Sequence, residues 1–154
     1  MRIVKYPNPN LNRACTDIPL ANIGKVVSKI LLRTIPLRDG ACGFAGNQVK
    51  MKENIFSALI NEKWKCFINP VIFSKSSTTF LNIESCLSIP GKEYEVDRHD
   101  AIVLKYIDEN GKKQTDGFRD FNAVVIQHEV DHLNGITIAD VGKLIEEANN
   151  EINL

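Results

Sequence analysis

Residues 127–133 read Gln127-His128-Glu129-Val130-Asp131-His132-Leu133. Two histidines four positions apart stand on one face of a helix, so both imidazoles can reach a single cation with Glu129 beside them. Neutral imidazole nitrogens bind first-row metals, and a neighbouring carboxylate can take a proton from metal-bound water. That is hydrolytic chemistry. The plainer reading, two satisfied core histidines around a solvated glutamate, accounts for the pair but not for the full His-Glu-x-x-His pattern. Chance places that pattern in well under about 1% of chains this long.

Two histidines leave a catalytic metal one protein ligand short. Cys86, in Glu84-Ser85-Cys86-Leu87-Ser88, is the best candidate, because it follows a predicted strand and precedes Pro90-Gly91, where a rigid bend would aim a side chain inward. A thiolate with two imidazoles suits ferrous iron or zinc and leaves a fourth position for water. A buried structural cysteine is the competing reading. The run of small residues from Asp39 to Gln48 ends in an amide that offers donors to an oxygen, although a simple turn explains the segment equally well.

These residues need elements to position them. Asn122 to Leu133 contains no Pro or Gly, is dense in Ala123, Val124, Val125, Ile126, Val130 and Leu133, and meets a stop at Asn134-Gly135. A helix this apolar must be buried on more than one side. Ile23, Val26, Val27, Ile30 and Leu31 predict an amphipathic helix from Asn22 that ends near Pro36. Ile55 to Ile60, Lys65 to Ile68, Val71 to Phe73 and Thr79 to Ile83 read as short antiparallel strands, with Asn69-Pro70 among the interruptions. Ala101 to Asp108 is the clearest strand, and Asn110-Gly111 turns it back through Lys112 to Thr115. Residues 3–20 form an extended, proline-bearing arm, and Lys143 to Leu154 a fraying terminal helix.

Composition excludes several classes. Nineteen basic and nineteen acidic residues balance to zero net charge, so there is no cationic excess for binding DNA or RNA. Hydrophobic content of 44% with 25% charged residues is ordinary for a folded protein of 154 residues, a length that fits one domain. No apolar run is long enough to cross a bilayer and no signal-peptide core opens the chain, which makes the cytoplasm the expected location. Cys15, Cys42, Cys66 and Cys86 are scattered without a Cys-x-x-Cys pair and read as free thiols or a metal ligand.

Three ordered segments, Ala41-Cys42-Gly43-Phe44-Ala45-Gly46-Asn47-Gln48, Glu84-Ser85-Cys86-Leu87-Ser88 and Gln127 to Leu133, resemble the signature motifs of the peptide deformylases, GxGxAAxQ, EGCLS and QHExDHL. The flanks Ile3 to Pro9, Phe67-Ile68-Asn69-Pro70 and Asn134-Gly135-Ile136 are similar too, so the resemblance spans about residues 2–141. It implies an α+β fold, antiparallel β-sheets around a central active-site helix, in a single catalytic domain over 1–154. It implies removal of the N-formyl group from the initiator N-formylmethionine of nascent polypeptides, by attack of a metal-bound hydroxide. By residue matching, Cys86, His128 and His132 hold the metal and Glu129 is the general acid/base. Gln48 and the Leu87 backbone N–H stabilise the oxyanion. Cys42, Gly43, Phe44, Glu84, Ser85, Phe121, Val124 and Val125 bind substrate.

The implied cofactor is one divalent ion, Fe(II) in the native protein and Zn(II), Ni or Co in the purified one. The implied partners are N-formylmethionyl peptides and, weakly, the ribosome, with no DNA, no membrane and a monomeric state. Ala41, Gly46 and Ser85 depart from the family pattern, and Ser85 is the departure that could crowd a peptide backbone. The tail is short for the family, as in phage-encoded members. Two rivals share the helix motif: a metallopeptidase drawing a ligand from Asp140, Glu146 or Glu147, and a catalytically silent metal-binding protein.

Overall fold

One sheet lies between two helices, and alternate residues of its strands feed opposite cores. The computed structural model describes residues 2–145. The helix α1 (Ile23–Thr34) buries Ile23, Val26, Val27 and Ile30, the stripe that its spacing predicts. A five-stranded antiparallel sheet has the order β1 (Gly43–Ala45), β2 (Ile55–Ile60), β3 (Lys63–Lys75), β6 (Ala101–Ile107), β7 (Lys113–Arg119). Phe44, Ile55, Cys66 and Ile68 pack with α1, whereas Ala45, Phe56 and Phe67 pack with α2 (Asp120–Leu133). The strand period of two therefore builds both cores at once. A second antiparallel sheet joins β4 (Thr79–Cys86), β5 (Ile89–His99) and β8 (Lys143–Leu144), and the short helix α3 (Ile138–Val141) packs on it through Ile138.

Antiparallel sheets around an active-site helix are as expected, but three local readings change. Asn69-Pro70 does not interrupt a strand: β3 runs through it, because a bulge between Ile68 and Val71 takes up the positive φ of Asn69 (48°) and a residue without an N–H. The Asn69 amide then accepts from the Ile18 N–H and donates to the Ile18 carbonyl, tying the arm to the sheet. The bend after Cys86 is made by Leu87-Ser88, not by Pro90-Gly91, which already belong to β5. Lys143 and Leu144 are strand rather than helix, pairing with Glu95 and Tyr94, while residues 146–154 of the expected tail helix lie outside the described residues.

The end of α2 matches its sequence signal. Gly135 has φ +77°, and a Cβ there would lie 2.7 Å from the Asn12 carbonyl, so both conformation and the close arm demand glycine. No helix among the described residues is long and apolar enough to cross a membrane.

Candidate metal centre and catalytic cleft

Nearly every face of α2 is covered: Ala123 to Gln127, Glu129, Val130, His132 and Leu133 are all buried. Gln127 anchors it sideways, its side-chain amide accepting from the His99 N–H at 3.0 Å and donating to the His99 carbonyl at 2.8 Å. The helix is thus stapled to the end of β5 by a side chain that imitates strand pairing. One turn of it carries His128, Glu129 and His132, and the end of β4 supplies Cys86 from the second sheet.

The three donor residues converge. His132 Nε2 lies 3.2 Å from His128 Nε2 and 3.4 Å from Cys86 Sγ, and one donor atom from each residue falls within 4.8 Å of the others. Ligands on a tetrahedral ion, with bonds of about 2.0 Å to nitrogen and 2.3 Å to sulfur, stand roughly 3.3 to 3.6 Å apart. The donor set therefore fits one small divalent ion in both spacing and chemistry. Asp140, the described downstream ligand candidate for a metallopeptidase, is occupied elsewhere: its Oδ2 accepts from the Thr137 N–H and hydroxyl at the start of α3.

Around the ligands is a chain of buried charge. Both Glu84 oxygens accept from Arg98, at 2.8 Å each, and Oε1 also meets His128 Nδ1 at 2.9 Å. Arg98 continues to Asp131 at 2.6 Å. Burial opposes ionisation of Glu84, but Arg98 and then His128 outweigh it and hold the carboxyl at about 2. With Nδ1 engaged, His128 turns Nε2 toward Cys86 and His132, an orientation that carboxylate partners commonly impose on metal-binding histidines. Burial lowers the basicity of His132 and so favours the neutral ring that a ligand requires, whereas at His128 burial is outweighed by Cys86, Glu84 and Glu129, which push it up to about 10, so an ion held there would take the place of a proton.

Glu129 is 4% exposed, and its Oε2 has no hydrogen-bond partner among the described residues. Burial pushes its carboxyl up to about 7, against the pull of His128 and Arg98. Gln48, 2% exposed, is fixed at both ends: the Ala45 N–H donates to its Oε1 at 2.9 Å, and its Nε2 donates to Ser88 Oγ at 3.0 Å while lying 3.5 Å from Cys86 Sγ. Backbone approach is tight opposite Glu129, where a Cβ on Gly43 would come within 2.7 Å of Glu129 Oε1. Gly43→Ala is expected to displace that carboxylate and lower kcat by about 10²-fold, with an unchanged far-UV circular dichroism spectrum. Wild-type turnover in the variant would mean that Glu129 need not stay where it is.

These groups open into a cleft of about 480 Å³ between the edge strands β1 and β4 and the first turns of α2. Its walls include the predicted Cys42, Gly43, Gln48, Ser85, Leu87, Phe121, Val124 and Val125, together with Lys5 and Asn82. Ser85 is exposed while Glu84 and Cys86 on either side are buried, so the departure at Ser85 lies on the opposite face of the strand from Cys86. One expected substrate contact lies away from the cleft. Phe44 is fully buried on the α1 side, its ring stacked 6.1 Å from Trp64, because strand alternation sends Gly43 and Ala45 toward α2 and Phe44 away. Glu84 lines the cleft as expected, and its oxygens meet Arg98 and His128, so it also positions the His128 ring. Gly46 also has a local reason, since a Cβ would meet the Glu53 carbonyl at 2.6 Å.

Sequence reasoning missed Arg98 and Lys5, and took Ser88 as part of a backbone edge rather than as the hydroxyl that holds Gln48 Nε2. Arg98 had a signal, an arginine on the inward face of a Tyr94, Val96, Arg98 alternation, but the outward Glu93, Glu95 and Asp97 mask that strand.

Comparisons with known proteins agree with the geometry. The polypeptide deformylase family profile matches residues 1–148. A peptide deformylase of Borreliella burgdorferi is 38% identical over 144 residues, covering 91% of this chain and 86% of that protein. A peptide deformylase-like protein of Rickettsia conorii is 38% identical over 147 residues, covering 90% and 78%. Among solved structures, the PDF of the Vibrio parahaemolyticus bacteriophage VP16T superposes with a TM-score of 0.82 at 32% identity, covering 90% of this chain and all (100%) of that one. The Thermotoga maritima peptide deformylase gives 0.82 at 27%, covering 91% and 95%. With family profile, fold and a Cys86, His128, His132 metal-site geometry in agreement, the chain belongs to the polypeptide deformylase family, enzymes that remove N-formyl groups.

Proposed function

We propose that this chain hydrolyses the formamide of N-formylmethionyl peptides on nascent polypeptides, as a single catalytic domain acting in the cytoplasm. The observation that carries the reading is the convergence of Cys86, His128 and His132 beside a buried, unpartnered Glu129 Oε2. Cys86, His128 and His132 hold one divalent ion, which when bound supplies Lewis-acid activation of the attacking water. Glu129 takes the proton from that water and later returns it to the departing amine, so that formate and a free N-terminus leave. Gln48 Nε2, exchanging its long 3.5 Å contact with Cys86 Sγ, and the Leu87 N–H donate to the developing oxyanion in this reading, each donor being of a kind worth about 3 to 4 kcal/mol. The methionine side chain enters the slot of Cys42, Gly43, Phe121, Val124 and Val125, and the peptide backbone runs along the edges at Gly43 and Ser85.

Fe(II) is the native ion in this reading and Zn(II), Ni or Co its replacement in purified protein, because one thiolate and two imidazoles accept all of these. The enzyme works as a monomer with weak ribosome association. The test is purification with and without oxygen, metal analysis, and release of free amine from formyl-Met-Ala-Ser. One ion per chain with turnover is expected, and Cys86→Ala should lose both. Full metal retention by Cys86→Ala, or no amine released by fully loaded wild type, would overturn the assignment.

A further inference from the structure

The two oxyanion donors come from segments far apart in the chain, the Gly46–Val49 turn and the Leu87-Ser88 bend, and a third segment touches both. The Val4 N–H donates to the Gln48 carbonyl at 2.8 Å. Two residues on, the Tyr6 N–H donates to the Ser88 carbonyl at 2.8 Å. Between them Lys5 reaches across with its ammonium, donating from Nζ to the Leu87 carbonyl at 2.8 Å. Three consecutive residues thus grip the backbone of Gln48, Leu87 and Ser88.

We propose that residues 4–6 are a clamp that sets the distance between the two oxyanion donors, with Lys5 as its side-chain positioning residue. The inference rests on the deformylase reading of the cleft. The physical case is that Leu87 sits in a two-residue bend closed by the Cys86–Ile89 pair: its N–H belongs to the peptide unit before it, and the Leu87 torsions that couple this unit to the next are held when the carbonyls of the two following units are held. The Tyr6 N–H holds one peptide unit and Lys5 the other. The Tyr6 donor is backbone and cannot swing away, whereas Lys5 holds the unit that follows Leu87 with a charged side-chain donor, the part of the clamp that a substitution can remove. On the other side, the Gln48 side chain is locked to Ala45 and Ser88, and its backbone is locked by Val4. Lys5 is itself exposed and makes no contact with the metal ligands in the hydrogen-bond network, so its removal changes the bend and leaves the core alone.

The experiment compares wild type, Lys5→Met and Lys5→Arg with formyl-Met-Ala-Ser, each protein carrying one metal ion per chain. Met keeps the apolar stem without the donor, and Arg restores a donor. Lys5→Met is expected to lose about tenfold in kcat at unchanged KM, a fraction of the roughly 10²–10³-fold cost of deleting an oxyanion donor outright. Lys5→Arg should recover most of it, and metal content and Tm should match wild type in both. Lys5→Met turning over within twofold of wild type would overturn the clamp while leaving the deformylase reading intact. A raised KM at unchanged kcat would also overturn it, marking Lys5 as a substrate contact. Metal loss or a lowered Tm that accounts for the defect would overturn it as well. Failure of loaded wild type to release amine would remove both readings together.

Discussion

Glu129→Gln is expected to lower kcat for formyl-Met-Ala-Ser by about 10²–10⁴-fold, the range for loss of a positioned general acid/base, with one metal ion per chain retained. The substitution preserves shape, so it removes proton transfer without opening a cavity in a site where Glu129 is 4% exposed. Metal retention follows from the donor set, which consists of Cys86, His128 and His132 and does not include Glu129. The size of the effect follows from burial. A buried carboxyl in this position can take a proton and give it back, whereas an amide can do neither. Gly43 matters to the same residue, since its bare backbone leaves room for the carboxylate that a methyl group would push aside. The measurement is kcat alongside metal analysis. Activity within tenfold of wild type would remove Glu129 from the mechanism, and loss of the ion would make it a ligand instead.

Glu84→Ala is expected to destabilise the fold by about 3 to 5 kcal/mol, because it leaves the Arg98 guanidinium buried without its main counter-charge. Arg98 and Glu84 side chains are 5% and 6% exposed, so water cannot replace the lost partner cheaply. Asp131 remains to Arg98, but it is 28% exposed and binds through a single nitrogen, so it compensates only in part. The same change frees His128 Nδ1, and metal affinity should fall by about 10- to 100-fold, the usual cost of losing a carboxylate behind a metal-binding histidine. Denaturant unfolding and metal titration together read both effects. Arg98→Met combined with Glu84→Leu should recover much of the stability and none of the metal affinity, since an apolar pair fills the space but cannot orient the ring.

The sign of the pH dependence follows from the depressed Glu84 carboxyl. Its unfolded value is 4.5 and its folded value about 2, so the stabilisation is complete above the first and is lost as pH falls through the second. Acid unfolding of wild type should steepen across that window, and Glu84→Ala should flatten it. An unchanged acid limb would place the dominant acid-sensitive contact elsewhere.

The legible parts of this protein are those in which one residue type in one spacing has few physical uses. His128, Glu129 and His132 on a glycine-free apolar stretch ending at Asn134-Gly135 required a buried helix bearing a metal face, and α2 is that helix. Cys86 and Gln48 were singled out for their donors, and both reach the site. The stripe of α1 and the turn at Asp108 to Lys112 were equally direct, because hydrophobic period and glycine placement are local properties. Strand β5 was hidden, since an outward-facing row of Glu93, Glu95 and Asp97 obscures the inward Tyr94, Val96 and Arg98.

What the sequence offered by itself was therefore a candidate chemistry: Cys86, His128 and His132 as one donor set, Glu129 beside it and the Gln48 amide, together with the helix that carries three of these five. What tertiary structure alone decided was the company these groups keep. Phe44 sits in the α1 core rather than the cleft because a strand alternates faces, and only the placement of the sheet between two helices says which face is which. Glu84 became the support of His128 because Arg98 arrives from the neighbouring strand, and Lys5 met Leu87 across 82 residues of chain. Distance along a chain carries no information about such encounters, whereas the reactivity of an imidazole or a thiolate is already present in its atoms.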